Sequence, residues 1–108
     1  MVLEFPAGKI DAGETPLATA RRELIEEVGY AATSWRPLGT IHLVVGYSTE
    51  AIELFEATGL THVGARLDDG EFLDVVTMTL DELLLRFDSG GVTDGKTIAA
   101  LFAWLRRR

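Results

Sequence analysis

Residues 8–30 of this 108-residue chain read GKIDAGETPLATARRELIEEVGY, and the fold is predicted outward from this stretch. Thr15 followed by Pro16 is typical of an N-cap and a first helical residue, because a proline there gives up no hydrogen bond. Gly29 stands where a C′ glycine ends a helix. The stretch therefore predicts a loop followed by a helix over residues 16–28. The apolar stripe that this helix would bury consists of Leu17, Ala20, Leu24 and Val28.

The other side of this helix carries a cluster of carboxylates. Glu23, Glu26 and Glu27 are spaced at i, i+3 and i+4 and so share one helix face. Carboxylates this close repel one another unless a cation lies among them, and oxygen ligands select a hard ion such as Mg²⁺ or Mn²⁺. Arg22, four residues before Glu26, can hold a ligand carboxylate in position. The pattern predicts a divalent-metal site, and a Glu-rich solvated helix is the alternative.

This spacing resembles the sequence box of the Nudix hydrolases, G-x5-E-x7-R-E-U-x-E-E-x-G-U, in which U is aliphatic. The last position departs, with Tyr30 in place of an aliphatic residue. The box fixes seven residue identities, and each is met by chance at roughly one position in fifteen. All seven together would therefore recur by chance about once in 10⁸ sequence windows. The matching residues are Gly8, Glu14, Arg22, Glu23, Leu24, Glu26, Glu27 and Gly29.

The resemblance implies a Nudix-type α/β/α sandwich with a mixed sheet, and the alternation of predicted strands and helices independently favours the α/β class. It also implies a bound divalent ion, expected to be Mg²⁺, which Mn²⁺ could replace. The residues expected to bind the ion are Glu23, Glu26 and Glu27, with the backbone carbonyl of Ala7 as a further ligand. Glu14 is expected in a structural or outer-shell role.

A general base is still required, and glutamates that bind a metal are poor candidates because their lone pairs are occupied. The family often supplies the base from a later acidic loop. Glu71 is therefore expected to act as the base or as another metal ligand, with Asp69 as the alternate. A solvated acidic turn is the alternative interpretation of this loop.

The implied activity is metal-dependent hydrolysis of a phosphoanhydride bond. Residues 4–14, EFPAGKIDAGE, are similar to the entrance of Nudix enzymes that cleave ADP-ribose, and residues 46–50 and 93–97 resemble two further stretches of that subfamily. ADP-ribose, cleaved to AMP and ribose 5-phosphate, is the expected substrate, with contacts from Glu4, Tyr47 and Glu50. Val45 departs from the subfamily's proline. Another nucleotide sugar, a dinucleotide, or a Nudix-fold module that binds nucleotide without turnover are the alternatives.

Composition limits the class of partner. The formal net charge of −7 argues against nucleic acid, because phosphates require basic surface. The chain has no cysteine, which excludes disulfides and thiolate metal sites. Neither a membrane span nor a signal peptide is predicted, and a cytoplasmic location is expected. Length and composition predict one domain over residues 1–108.

The remaining elements follow from periodicity and turn residues. Thr79 with Glu82 three residues later predicts a capping box that opens a helix. A last helix is predicted over residues 94–107, with a buried stripe of Ile98, Leu101, Phe102 and Leu105. Strands are predicted over residues 2–5, 38–45, 50–57 and 72–78, a polar connection over 31–36 and a loop over 59–70.

Little sequence precedes the box, whereas the family's sheet normally has strands upstream of it. The fold is therefore expected to be N-terminally abbreviated. A sheet without its first strands leaves an unpaired edge and uncovered apolar surface, which predicts a homodimer. A homodimer is also what the resemblance to the ADP-ribose subfamily implies.

Overall fold

The computed structural model of the chain describes residues 2–42, 51–67, 70 and 73–108. Along the described chain the elements are α1 (Pro16–Glu23), a π-helical turn (Leu24–Val28), β1 (Tyr30–His42), β2 (Ala51–His62), α2 (Leu80–Asp88) and α3 (Gly95–Arg107). No helix within these ranges combines the length and the apolar character that crossing a membrane would need.

The glutamate-bearing helix begins and ends where its capping residues predict. The Thr15 hydroxyl accepts a hydrogen bond from the Ala18 N–H at 3.1 Å, and Gly29 ends the helix with a φ of +80°. The last turn is π-helical, because the Gly29 N–H reaches back to the carbonyl of Leu24 at 3.1 Å. Helical periodicity does not reveal this wider turn, which contains both Glu26 and Glu27.

Strands β1 and β2 pair in an antiparallel sheet and contain residues 38–42 and 51–57 of two predicted strands. Trp35 is paired with Ala57 and His42 with Ala51. The predicted polar connection over residues 31–36 is wrong, because these residues belong to β1, and β2 likewise extends to His62 into the predicted loop. Cross-strand pairing decides the state of these segments, in which β formers stand beside residues such as Ala31 and Gly59, whose types are depleted in strands. The predicted strand residues 43–45 and 50 lie outside the described residues.

Two predicted strands do not form. Residues 2–5 and 73–78, all of which the structure describes, have no regular secondary structure. A strand needs a partner for its backbone groups, and the sheet of the described residues consists of β1 and β2. Leu73, Val75 and Val76 are consequently exposed at 47%, 52% and 57%. Residue 72 lies outside the described residues.

The two later helices match their predicted caps. The Thr79 hydroxyl accepts from the Glu82 N–H, and the Glu82 carboxylate accepts from the Thr79 N–H, so the capping box is confirmed. Asp94 is the N-cap of α3, and its side chain accepts from the Thr97 N–H. These contacts satisfy backbone N–H groups that lack partners within the helix.

Helix α3 packs against the hairpin. Leu101 is buried as predicted, whereas Phe102 is 65% exposed, so the predicted stripe is wrong at that position. Glu56 of β2 accepts hydrogen bonds from Trp104 of α3 and from the Arg36 guanidinium, which lowers the Glu56 pKa chiefly through Arg36. The buried apolar side chains of the described residues, each at most 8% exposed, are Leu38, Leu54, Val92 and Leu101.

Candidate active site

Arg22 is the centre of the site, since its guanidinium joins three glutamates. Its Nε and Nη2 donate in parallel to the two carboxylate oxygens of Glu14, at 2.9 and 3.0 Å. Its Nη1 donates to Oε1 of Glu23 at 2.9 Å and to Oε2 of Glu26 at 3.0 Å. Charge-assisted and bidentate bonds of this kind are the strongest hydrogen bonds available to side chains. The guanidinium therefore fixes one oxygen of Glu23 and one of Glu26.

Glu14 anchors this guanidinium in turn. The hydrogen bonds from Arg22 lower the pKa of Glu14 from 4.5 to about 2, with further bonds from the Asp11 N–H and the Thr19 hydroxyl at 3.0 Å each. The pKa of Arg22 is raised, chiefly by the same bonds to Glu14. Thr19 is 4% exposed, so a buried hydroxyl supports the outer side of the network. Glu14 is thus an ionised carboxylate that faces Arg22.

An open cavity of about 360 Å³ lies beside this network. Four of its lining residues carry carboxylates and two are cationic, so the cavity has a net formal charge of −2. Such a cavity attracts cations and repels an unaccompanied diphosphate. Its lining residues are Gly8, Lys9, Asp11, Arg22, Glu23, Glu26 and Glu27.

The loop that enters the helix contacts two of these glutamates. Gly8 lies directly against the carboxylate of Glu23, and a Cβ at position 8 would overlap the Glu23 side chain. The Ala7 N–H donates to Oε2 of Glu27 at 3.4 Å, a long hydrogen bond. Gly8 therefore lines the cavity beside Glu23, whereas Ala7 contacts Glu27 but is not among the lining residues. A larger residue at position 8 would displace the Glu23 side chain.

The chemistry of these donors fits a hard divalent cation. Carboxylate and carbonyl oxygens are the ligands that Mg²⁺ and Mn²⁺ prefer, and Glu23, Glu26 and Glu27 all line one cavity. Within the described ranges, no three His, Cys, Asp or Glu side chains are arranged to hold a metal ion together. Arg22 binds one oxygen of Glu23 and one of Glu26, which leaves the second oxygen of each carboxylate outside this contact.

The other predicted site residues have different outcomes. Glu4 is described and exposed, and it is not among the residues that line the cavity. The expected base Glu71, its alternate Asp69 and the expected substrate contacts Tyr47 and Glu50 lie outside the described residues.

Sequence reasoning missed three residues of the site. Lys9 and Asp11 line the cavity from within the variable spacing of the box, and Lys9 also accepts from Arg22 through its backbone carbonyl at 3.2 Å. Thr19 supports Glu14 from the opposite side of the network. The spacing of the box leaves these positions open, so no sequence signal distinguishes them.

Comparison with known proteins places this site in a family. The model of the NUDIX domain matches residues 2–101. The chain is 39% identical over 102 residues to a methanol dehydrogenase activator of Bacillus methanolicus, and 36% identical over 102 residues to an ADP-ribose pyrophosphatase of Bacillus subtilis (strain 168). Each match covers 93% of this chain and 55% of the relative, so the chain spans about half the length of the curated relatives it matches.

A solved structure extends the comparison to the fold. The crystal structure of an ADP compounds hydrolase is similar with a TM-score of 0.78 and 27% sequence identity, over 90% of this chain and 54% of that one. The α/β fold of the Nudix type, of which this short chain covers a part, is thereby confirmed. On the match of its residues 2–101, this chain belongs to the NUDIX domain family.

Proposed function

We propose that this chain hydrolyses the diphosphate linkage of a nucleoside diphosphate derivative, with ADP-ribose as substrate and AMP and ribose 5-phosphate as products. The observation that carries the proposal is the acidic cavity lined by Glu23, Glu26 and Glu27, two of which Arg22 binds. Similarity to the ADP-ribose pyrophosphatase of Bacillus subtilis and to the ADP compounds hydrolase supports the substrate class.

The residues of the cavity would act by binding and orientation. Glu23, Glu26 and Glu27, with the carbonyl of Ala7, would hold Mg²⁺, which when bound supplies charge neutralisation at the phosphoryl oxygens and a lowered pKa of water. Arg22 restrains two of these carboxylates, and the bidentate contact with Glu14 restrains Arg22. Orientation of this kind lowers the entropy lost when the reacting groups are aligned.

The charge balance explains why a cation is needed. The substrate's diphosphate is an anion, and the cavity that would bind it has a net formal charge of −2. Two cations line the cavity, and since Arg22 is paired with glutamates, Lys9 is the one whose charge can complement that of the substrate. Lys9 and Arg22 together do not balance the four carboxylates even before the diphosphate is added, so activity should depend on added divalent ions.

The proposal also assigns a general base and the substrate contacts. Glu71 would act as general base or as a further metal ligand, with Asp69 as the alternate, and this role rests on the family's later acidic loop. Glu4, Tyr47 and Glu50 would contact the substrate. These assignments rest on the resemblance of the surrounding sequence to the ADP-ribose subfamily.

We also propose that the protein is a cytoplasmic homodimer of single-domain chains. The support for a dimer is exposed apolar surface, including Val75 at 52% and Phe102 at 65%. Light scattering tests the homodimer, and a monodisperse monomer would exclude it.

Two alternatives have specific support. The departure at Val45 from the proline of the ADP-ribose subfamily favours another nucleotide sugar or a dinucleotide as substrate. A module that binds nucleotide without turnover is favoured by the carboxylate arrangement, because no three of them in the described part of the chain are poised for one ion.

A substrate panel decides among these functions. The purified chain is incubated with ADP-ribose, a nucleotide sugar and a dinucleotide, with Mg²⁺ or with EDTA, and nucleoside monophosphate release is followed by chromatography. The proposal expects Mg²⁺-dependent AMP from ADP-ribose at the highest kcat/KM. Faster cleavage of another compound would identify that compound as the substrate. If a chain with native circular dichroism cleaves none of them, the result supports the module that binds nucleotide without turnover.

A further inference from the structure

The N-terminus of α3 contains a hydroxyl that bonds to two partners at once. Thr97 is 2% exposed, and its hydroxyl donates to Oδ2 of Asp94 at 2.8 Å. The same oxygen accepts from the backbone N–H of Phe5 at 2.9 Å, across 92 residues of sequence. Lys96 binds the other oxygen of Asp94 at 3.1 Å. Because the Thr97 hydroxyl donates its hydrogen bond to Asp94, a lone pair of the hydroxyl oxygen is left to accept from the Phe5 N–H.

The helix itself does not need this hydroxyl. Asp94 already caps α3 by accepting from the Thr97 N–H at 3.0 Å, and a cap requires no more of Thr97 than its backbone. Threonine is also a weak helix former whose volume valine would match. Beyond its own bond to Asp94, the hydroxyl adds the bond to the Phe5 N–H, and so its distinctive role lies in the segment that it holds.

That segment leads directly to the glutamates of the cavity. Pro6 follows Phe5, and proline fixes its own φ and restricts the residue before it. A displacement at Phe5 is therefore passed on to Ala7, whose N–H donates to Glu27, and to Gly8, which lies against the Glu23 carboxylate. The contacts of this loop with Glu27 and Glu23 thus begin two positions after the amide that Thr97 holds.

We propose that Thr97, oriented by Asp94, is a positioning residue for the glutamate cavity: its bond to the Phe5 amide fixes the loop that contacts Glu23 and Glu27. The inference rests on the proposed function, because it assigns Thr97 to the cation and substrate site of that function. Thr97 touches neither ion nor substrate, and its effect reaches them through residues 5–8.

The test compares Thr97→Val, which keeps the volume and removes the hydroxyl, with Thr97→Ser, which restores it. Thr79→Val is the matched control, since it removes the hydroxyl that caps α2, a helix that does not line the cavity. Hydrogen exchange of the Phe5 amide is followed by NMR, and the midpoint of Mn²⁺ binding is measured by water proton relaxation without any substrate.

In Thr97→Val we expect faster exchange at Phe5 and a Mn²⁺ midpoint raised about 10-fold, within the range for residues that orient metal ligands. Thr97→Ser should restore both values, and Thr79→Val should leave both unchanged. An unchanged Mn²⁺ midpoint in folded Thr97→Val would overturn the inference, as would equal shifts in Thr79→Val. Absence of any Mn²⁺ binding by the wild-type chain would overturn it too.

Two provisions keep the result decisive. If Thr97→Val does not fold, Asp94→Asn is measured instead, because it keeps the capping oxygen but replaces the charged acceptor of the Thr97 hydroxyl. The Mn²⁺ midpoint of Asp94→Asn should rise as well. An unchanged midpoint in this variant refutes the inference. Failure of the proposed function has a different signature. A chain that cleaves no nucleotide but shows the Thr97→Val shift refutes the enzyme and retains the positioning role.

Discussion

Replacing Gly29 by alanine tests how the end of the glutamate helix is fixed. Gly29 has a φ of +80°, and its carbonyl accepts from the N–H groups of Val63 at 2.8 Å and Gly64 at 3.1 Å. A Cβ on Gly29 would lie 2.6 Å from the backbone nitrogen of Ala65 and 2.9 Å from the carbonyl carbon of Gly64. The substitution therefore introduces both a left-handed alanine and an overlap with backbone atoms.

The two costs can be estimated separately. A left-handed conformation costs a residue other than glycine about 1–2 kcal/mol. Overpacking against atoms that cannot rotate away adds about 1–3 kcal/mol. Gly29→Ala should therefore lower the free energy of unfolding by about 2–5 kcal/mol.

Gly90→Ala is the matched control. Gly90 has nearly the same φ, +81°, but apart from Gly90 itself and its two chain neighbours, no described residue has an atom within 4 Å of the position that a Cβ would take. This variant should lose about 1–2 kcal/mol. Urea unfolding at constant m-value measures both variants. Equal losses would refute the reasoning, because they would show that the backbone of residues 64–65 does not pack against Gly29.

Two further predictions concern the Arg22 network. Arg22→Lys should lower kcat/KM for ADP-ribose about 10- to 100-fold, because a lysine cannot bind Glu14 bidentately and also reach Glu23; activity within twofold of wild type in the AMP assay would contradict this. Glu14→Gln should be destabilising in a pH-dependent way. The folded pKa of about 2 lies below the ordinary value of 4.5, so the ionised carboxylate stabilises the fold above pH 4.5 and this contribution is lost as pH falls through about 2. Urea unfolding between pH 7 and pH 2 should show that the difference in free energy of unfolding between wild type and Glu14→Gln becomes smaller as the pH falls. A constant difference would count against the lowered pKa of Glu14.

The helix ends could be predicted from sequence because their signals are local. Thr15 caps α1, Gly29 ends the π-helical turn and the Thr79 capping box opens α2, each through contacts within five residues. Short-range geometry of this kind follows from residue type. The spacing of the box likewise brought Arg22 beside the glutamates, since i and i+4 are neighbours on a helix.

The errors arose where distant residues decide the structure. Residues 2–5 have β-forming side chains, yet Phe5 gives its N–H to Thr97 and not to a neighbouring strand. Residues 31–36 look like a connection, yet pairing with β2 makes them strand. Phe102 fits the apolar stripe of α3 but is 65% exposed. Local pattern carries no information about which partner a segment meets.

The measurement that tests the central claim most directly is AMP release from ADP-ribose by Glu27→Gln. Glu27 lines the cavity and accepts from the Ala7 N–H, and the substitution replaces a charged oxygen with a neutral amide of the same shape. Asp81→Asn is the control, because it makes the same chemical change on an exposed turn of α2 outside the cavity.

With saturating Mg²⁺, Glu27→Gln should lose on the order of 100-fold in kcat/KM while its unfolding midpoint in urea changes little, and Asp81→Asn should match wild type. If Glu27→Gln cleaves ADP-ribose at the wild-type rate, the glutamate cavity is not the catalytic site.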